Sequence, residues 1–190
     1  PHAYSDKAQR VDDLFFEYTR LLKGLRPKVF VAENVKGLTI GTAKGYFKLI
    51  LRALKECGYR VKAAVLNAQH LGVPQSRERL IFIGVREDLN QEPVYPKPHP
   101  YVYTLREAFE GLENDPQEVA RLLEDGCRYK WGKVLSLLPR DPRKPLTGAS
   151  VMNGSYFNLR RESLYAPCGT VCQMNGTPSA CGNSHPLEDR

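Results

Sequence analysis

Between residues 11 and 86 the sequence alternates helical periodicity with short, continuous apolar runs. Apolar side chains recur at helical spacing from Val11 to Leu25, and Lys28–Ala32 then reads as a short buried strand of the kind found in parallel sheets. The segment Glu33–Leu38 is expected to be a loop. Further elements are predicted as a helix capped by Thr42 and stopped by Gly58, and strands over 59–67 and 79–85. We therefore predict an α/β fold, the distal part of a doubly wound sheet whose last two strands can form a hairpin.

The composition changes after Arg86. Four prolines mark a linker, namely Pro93, Pro96, Pro98 and Pro100. Short helical pieces are expected at Leu105–Leu112 and Gln117–Leu123, and clear helical periodicity is lost from Gly126 onward. These features predict two domains, a partial α/β domain over 1–95 and a small, irregular domain over 96–190.

Charge and cysteine content narrow the class of protein. The 190 residues carry a formal net charge of +7, which favours a polyanionic partner such as nucleic acid. Five cysteines at irregular spacing indicate a reducing compartment, and we expect the cytoplasm. No apolar run reaches the about 18 residues that a membrane span needs, so no membrane association is expected.

Two short motifs carry candidate chemistry. Glu33-Asn34-Val35 follows a buried strand, and ligands of open α/β sheets bind beyond the carboxyl ends of the strands. Arg77 and Arg79, in Gln75-x-Arg77-x-Arg79, alternate on an extended segment, so both guanidinium groups can face one site. The plainer alternatives are a solvated loop at Glu33 and a charged strand entry in which Glu78 neutralises a neighbour.

Longer blocks around these motifs carry a family resemblance. Phe30–Leu38, which holds Glu33-Asn34-Val35, and Asn67–Gly84, which holds the Gln-x-Arg-x-Arg motif, resemble two ordered blocks of the DNA (cytosine-5) methyltransferase family. A weaker third block resembles the segment that organises the recognition domain of that family. Its residues are Arg161, Ser163, Pro167, Thr170, His185 and Pro186.

The resemblance implies a chemistry and a role for each motif. In this family a cysteine thiolate attacks C6 of a cytosine flipped out of double-stranded DNA, and C5 then takes a methyl group from S-adenosylmethionine. The position of Glu33, followed by Asn34 in the same block, holds N3 and the exocyclic amine of the base. Arg79 matches the position that binds the cytosine O2, and Arg77 matches one that supports the loop and the approaching backbone. The resemblance thus implies a methyltransferase sheet followed by a target-recognition domain.

Two parts of the family pattern are missing from this sequence. The family's nucleophile stands in a Pro-Cys pair, and Pro167-Cys168, the one such pair here, lies in the wrong block. No glycine-rich cofactor loop is present, because the glycines at 37, 41 and 45 match no nucleotide fingerprint, so no cofactor-binding residue is predicted. We expect an N-terminal catalytic portion, supplied in cis or in trans, and an isolated chain without activity. Alternatives are a non-catalytic DNA-binding remnant, the second subunit of a split enzyme, and an RNA methyltransferase of the same fold.

The second half of the chain offers candidate DNA contacts and a competing metal pattern. Basic residues interleaved with aromatic ones suit phosphate anchoring, although a solvated face is the plainer interpretation. With Gln75, the candidates are Arg128, Lys130, Arg140, Arg143 and Lys144. Cys168, Cys172, Cys181 and His185 have a spacing that zinc admits, but they overlap the third block, where they would be strand and turn positions. No metal ligand is predicted, and zinc stays an open alternative.

Overall fold

The computed structural model describes residues 6–41, 43–113, 115–117, 119–121, 124, 130–151, 159–171, 183–184 and 186. The chain divides into two compact units, each built from two segments. Unit 1 comprises Pro1–Leu66 and Glu78–Pro96, and unit 2 comprises Asn67–Arg77 and Lys97–Arg190. The chain leaves unit 1 for the last time after Pro96, and the segment Asn67–Arg77 clusters with unit 2. The division into domains over 1–95 and 96–190 stays a prediction.

Unit 1 alternates helices and strands, as predicted for an α/β fold. Its elements are α1 (Asp6–Leu25), β1 (Val29–Val35), α2 (Ala43–Glu56), β2 (Tyr59–Asn67, whose last residue belongs to unit 2) and β3 (Glu78–Arg86). The strand order is β1-β3-β2, so the last two strands are neighbours, and β1 pairs with β3 in antiparallel fashion. Gly58 ends the α2 segment with φ +85°, and its N–H donates to the Lys55 carbonyl at 2.9 Å. The predicted Thr42 cap lies outside the described residues.

The prediction that Glu33–Leu38 is a loop was wrong for its first three residues. Glu33, Asn34 and Val35 are the last three residues of β1, and they pair with Ile81, Leu80 and Arg79 of β3. Lys36–Thr39 follows as a 3₁₀ turn. The strand continues through these residues because β3 supplies backbone partners as far as Arg79.

One face of the sheet in unit 1 builds the core. Alternate residues of β1 and β3 point inward, and Phe30 packs edge-on against Tyr59 with ring centroids 5.1 Å apart. The Tyr59 hydroxyl donates to the Pro27 carbonyl at 2.8 Å, and burial raises the pKa of this tyrosine. The other buried members of this core are Leu22, Leu38, Ile50, Leu54, Cys57, Leu80 and Phe82. On the opposite face of β1, Val29, Val31 and Val35 are exposed, and Glu33 shares that face.

Gly84 lies opposite Phe30 in this pairing. A Cβ atom built on Gly84 would lie 2.0 Å from one carbon of the Phe30 ring and 2.4 Å from the next. No side chain fits there unless the ring moves, and the ring is itself buried. The glycine therefore provides the space that lets Phe30 enter the core.

Unit 2 has shorter elements. They are α3 (Leu105–Phe109), α4 (Lys130–Leu137), β4 (Leu146–Thr147), β5 (Arg160–Arg161) and β6 (Asn183–Ser184). The three short strands form a sheet in the order β4-β5-β6, antiparallel between β4 and β5 and parallel between β5 and β6. A capping box at Thr104 and Glu107 starts α3.

The helices of unit 2 differ in part from the prediction. The helix expected to reach Leu112 ends at Phe109, because Glu110 has an extended backbone conformation. The second piece, expected at Gln117–Leu123, is described in part and is helical at residues 117 and 119–121. Although clear helical periodicity is lost from Gly126 onward, a helix is present in that region. There α4 forms, and Val134, Leu135 and Leu138 pack around Leu159 in a core of their own.

Buried polar side chains hold unit 2 together. Arg161 is fully buried and donates to the Leu135 carbonyl at 2.7 Å, which ties β5 to α4. Glu162 is buried as well and accepts a hydrogen bond from the Gly169 N–H at 3.2 Å; burial raises the pKa of this carboxyl group. The Thr170 hydroxyl donates to the Ser76 carbonyl at 3.0 Å. The 160–170 segment therefore organises unit 2, and its bonds reach the 67–77 loop.

No helix among the described residues has the length and apolar character that crossing a membrane requires.

Candidate active site

Glu33 and Arg79 form an ion pair on the sheet of unit 1. The Arg79 Nε atom lies 2.6 Å from Glu33 Oε1, with 23% of the arginine side chain and 53% of the glutamate side chain exposed. The two residues are brought together because the antiparallel pairing aligns the end of β1 with the start of β3. Glu33 is opposite Ile81 and Arg79 is opposite Val35, so the two side chains are diagonal neighbours on one face.

The pair presents donors and acceptors side by side. Arg79 also donates through Nη1 to the Glu78 carbonyl at 2.8 Å, which fixes the plane of its guanidinium group. A carboxylate accepts hydrogen bonds at two oxygens, whereas a guanidinium carries five N–H donors. Such a pair can bind the edge of a planar heterocycle that offers N–H groups to the carboxylate and a carbonyl oxygen to the guanidinium.

The neighbours of the pair are polar on one side and apolar on the other. Lys36 lies 2.8 Å from Glu78 Oε2, so the charge of Glu78 is balanced by this lysine rather than by the adjacent arginines. The Asn34 side chain accepts a hydrogen bond from the Val35 N–H at 2.8 Å and so shapes the end of β1.

Glu33 and Asn34 also border a groove of about 420 Å³ between α1 and β1. Its other lining residues are Leu14, Phe15, Tyr18, Val31, Ala32 and Phe82.

Asn67 organises the loop that carries Gln75 and Arg77. Its Oδ1 atom accepts from the backbone N–H groups of Gln69 at 3.2 Å and Arg77 at 3.0 Å. Its Nδ2 atom donates to the Ser76 hydroxyl at 3.1 Å. One amide side chain therefore closes the whole 67–77 loop. Reasoning from the sequence missed this role, although an asparagine just before a short turn that ends in Gly72 is a known capping signal.

Replacing Asn67 with Ala should loosen this loop. Two half-buried N–H groups lose their acceptor, and each unpaired group costs about 1–3 kcal/mol. We expect faster backbone hydrogen exchange at Gln69 and Arg77, measured by mass spectrometry. Asn67→Asp is the matched control, because it keeps the acceptor oxygens and should retain most of the protection. Equal exchange in the Ala variant and the parent would contradict the role assigned to Asn67.

The loop is also tied to the 160–170 segment within unit 2. The Ser76 N–H donates to the Cys168 carbonyl at 2.7 Å, and the Cys168 N–H donates to the Pro74 carbonyl at 2.9 Å. Gln75 and Cys168 form a parallel bridge. The half-buried Arg77 side chain has no hydrogen-bond or ion-pair partner among the residues that the structure describes. Arg79 belongs to unit 1 and Arg77 to unit 2, so the convergence of the two arginines stays a prediction.

The candidate DNA contacts are described in part. Arg140, Arg143 and Lys144 follow α4 and are exposed. The Arg143 guanidinium carbon lies 4.3 Å from the centre of the Tyr165 ring, a cation–π distance. Arg128 lies outside the described residues, and Lys130 begins α4 but has no described side chain.

The cysteine pattern falls largely outside the described residues. Cys168 is buried, whereas Cys172, Cys181 and His185 are not described. Within the described part of the chain, no group of three or more His, Cys, Asp or Glu side chains is arranged to hold a metal. The zinc alternative is therefore untested.

Comparison with known proteins identifies the family. The model of the C-5 cytosine-specific DNA methylase family matches residues 3–141, a span that includes the sequence block around Glu33 and the block around Arg79. The chain belongs to this family.

Curated relatives agree with this assignment. The chain is similar to the Type II methyltransferase M.PspPI of Psychrobacter sp. (strain TA137), with 41% identity over 120 residues, covering 60% of this chain and 29% of that protein. It is also similar to the Type II methyltransferase M.BspRI of Lysinibacillus sphaericus, with 44% identity over 119 residues, covering 56% and 28%. A crystal structure of Spodoptera frugiperda DNMT2 aligns at a TM-score of 0.41 and 25% identity, over 53% of this chain and 31% of that one. The match thus spans less than a third of each of the two curated relatives.

Proposed function

We propose that this chain is part of a DNA (cytosine-5) methyltransferase acting on a cytosine flipped out of duplex DNA. The observation that carries the proposal is the Glu33–Arg79 ion pair, which lies within the segment that matches the family. The Watson–Crick edge of cytosine offers an acceptor at O2 and donors at the exocyclic amine and at protonated N3. Glu33 would bind N3 and the amine, and Arg79 would bind O2.

The two residues would act on the charge that develops during attack. When a nucleophile adds to C6, electron density moves into the ring towards N3 and O2. A carboxyl group at N3 can hold a proton there, and a guanidinium at O2 stabilises the added negative charge. Flipping is required because both reacting carbons lie within the base stack of the duplex. Glu33 and Arg79 therefore bind the base and support its activation.

The described cysteines are unsuited to be the nucleophile. Cys57 is buried, its thiol donates to the Ala53 carbonyl at 3.1 Å, and burial raises its pKa, which disfavours the reactive thiolate. Cys168 is buried too, and its backbone is committed to the 67–77 loop. We propose that the attacking thiolate comes from a portion of the protein beyond these residues, supplied in cis or in trans.

S-adenosylmethionine, when bound, would supply the methyl group as an electrophile. Its site does not fit the described residues of this chain, because none of the described strand-to-helix turns is glycine-rich in the manner that holds such a cofactor. We assign no residue here to the cofactor. The same missing portion would hold both donor and nucleophile.

The remaining roles concern DNA and biological context. We propose that Gln75 and the loop bearing Arg77 face the DNA, and that Arg140, Arg143 and Lys144 contact phosphates, with residues 96–190 as the target-recognition region. The names of the two relatives as Type II methyltransferases support DNA modification as the context. The five cysteines at irregular spacing support a cytoplasmic location.

A methyl-transfer assay tests the proposal. Full-length protein with tritiated S-adenosylmethionine and mixed-sequence duplex DNA should yield 5-methylcytosine. The 190-residue chain alone should give neither turnover nor cofactor binding by calorimetry, because removing one member of a cooperating catalytic set removes most of the acceleration. DNA binding by the full-length protein without methylation would favour a non-catalytic DNA-binding protein. Transfer to RNA but not to DNA would favour an RNA methyltransferase.

A further inference from the structure

Helix α2 carries a row of four cations on its outer face. Lys44, Lys48, Arg52 and Lys55 are spaced by four, four and three residues, which places them along one stripe of the helix. All four are exposed, and the buried Ile50 and Leu54 lie on the opposite side of α2. We call this row the α2 basic stripe.

The α2 basic stripe has no compensating charges paired with it in the described part of the chain. None of its four side chains has an ion-pair or hydrogen-bond partner among the residues that the structure describes. Two other exposed cations of unit 1 do have partners: Lys36 pairs with Glu78, and Lys62 pairs with Glu92. The helix has one acidic residue, Glu56, against these four basic ones. Like charges four residues apart destabilise a helix, so the stripe costs stability unless an anion binds it.

The length of the stripe fits a nucleic-acid backbone. From Lys44 to Lys55 the helix rises about 16 Å at 1.5 Å per residue. Duplex DNA carries one phosphate per about 1.7 Å of its axis over both strands, or about 3.4 Å on each strand, so a row of this length laid along the axis passes about five phosphates of one strand. Membrane-surface helices instead combine basic residues with a broad exposed apolar face. On α2 Ile50 and Leu54 are buried in the core of unit 1, and Leu49 is the one large apolar side chain of the helix that is exposed.

We propose that the α2 basic stripe binds the phosphate backbone of duplex DNA without regard to sequence, as a contact additional to those that bind the target cytosine. The proposal rests on the proposed function in one respect, that the protein acts on duplex DNA. Such a contact retains the protein on DNA between target sites, because backbone binding permits sliding along the duplex.

A charge-matched pair of variants tests the stripe. K48Q/R52Q removes two stripe charges, and K23Q/K28Q removes two exposed charges elsewhere in unit 1. Glutamine has about the same helix propensity as lysine and arginine. Binding of the full-length protein to a fluorescent duplex without a target site is measured by anisotropy from about 50 to 200 mM KCl. The slope of log K against log salt should fall in magnitude by about 1.8 for K48Q/R52Q, at about 0.9 per phosphate, and change little for K23Q/K28Q.

The possible results distinguish a failure of the stripe as a DNA contact from a failure of the proposed methyltransferase function. Equal slopes for K48Q/R52Q and the parent, or equal losses in both variants, would overturn the stripe as a DNA contact. A variant that loses affinity for phosphatidylserine vesicles but not for the duplex would assign the stripe to a lipid surface instead. The parent's methyl-transfer assay is read independently. If the parent methylates DNA and K48Q/R52Q has the same salt slope as the parent, the stripe alone is refuted. If the parent neither methylates nor binds DNA, both proposals are refuted.

Discussion

Replacing Glu33 with Gln is expected to lower the single-turnover rate of methyl transfer by the full-length protein about 10²–10⁴-fold, the usual contribution of a positioned acid–base group. The amide has nearly the shape of the carboxylate, so the base should still enter the site. It cannot supply a proton at N3, and it cannot form the 2.6 Å ion pair that aligns Arg79. Affinity for duplex DNA should remain close to that of the parent, because backbone contacts dominate that affinity.

A matched variant separates this effect from the loss of an ion pair in general. Glu78→Gln breaks the exposed Lys36–Glu78 pair, which joins the turn after β1 to β3 at 2.8 Å. Exposed pairs of this kind contribute about 0–1 kcal/mol, so its rate should change little. Rapid-quench measurement with both DNA and cofactor in excess isolates the chemical step. Comparable rates for Glu33→Gln and the parent would remove Glu33 from the reaction.

Gly84→Ala is expected to destabilise unit 1 strongly, although it adds a single methyl group. The new methyl group would lie 2.0 Å from the Phe30 ring, and this ring is held by Tyr59 at 5.1 Å and by Tyr18 at 6.0 Å between centroids. Overpacking a filled core costs about 1–3 kcal/mol, and more where neighbours cannot shift. The free energy of unfolding from urea titration should therefore fall by about 3 kcal/mol, with a lower midpoint and a similar slope.

Two further variants make this result specific. Gly45, exposed in the first turn of α2, has open space where a side chain would begin, with no neighbouring atom within 4 Å of an added Cβ. Gly45→Ala should therefore stabilise the protein by about 0.5–1 kcal/mol. Phe30→Leu introduced beside Gly84→Ala should recover part of the loss, because the smaller side chain vacates the overlapping space. An unfolding midpoint of Gly84→Ala at the parent value would show that the ring does not lie over Gly84.

The strands and helices that were predicted well are those with local signals. The span of β2, 59–67, was predicted without error because Gly58 ends the preceding helix and an extended apolar run follows. The end of β1 was missed because Glu33 and Asn34 are polar, and their strand conformation depends on partners more than 45 residues away. Helix α4 was missed because it has only eight residues, Lys130–Leu137, and contains Gly132, so its helical period is too short to stand out. Tertiary pairing decided both segments, which local propensity does not report.

The residues of the candidate site were predicted from the sequence, but the ion pair and hydrogen bonds between them were not. Glu33 and Arg79 were identified from separate motifs through the family resemblance, and the ion pair between them follows from the antiparallel register of β1 and β3. Asn67 was overlooked because its three hydrogen bonds exist once the loop has closed. The role of Arg77 stays a prediction, since the loop that carries it clusters with unit 2.

The chain passes between the two units three times, after Leu66, after Arg77 and after Pro96. Ser76 therefore leaves the ribosome 94 residues before Thr170, the residue that donates a hydrogen bond to its carbonyl. At a synthesis rate of about 5–20 residues per second, the two are separated by about 5–20 s. During that interval β3 can already pair with β1. The loop bearing Gln75 and Arg77 cannot yet form its hydrogen bonds to Cys168 and Thr170. The order of synthesis thus assigns the sheet to an early stage of folding and this loop to a late one.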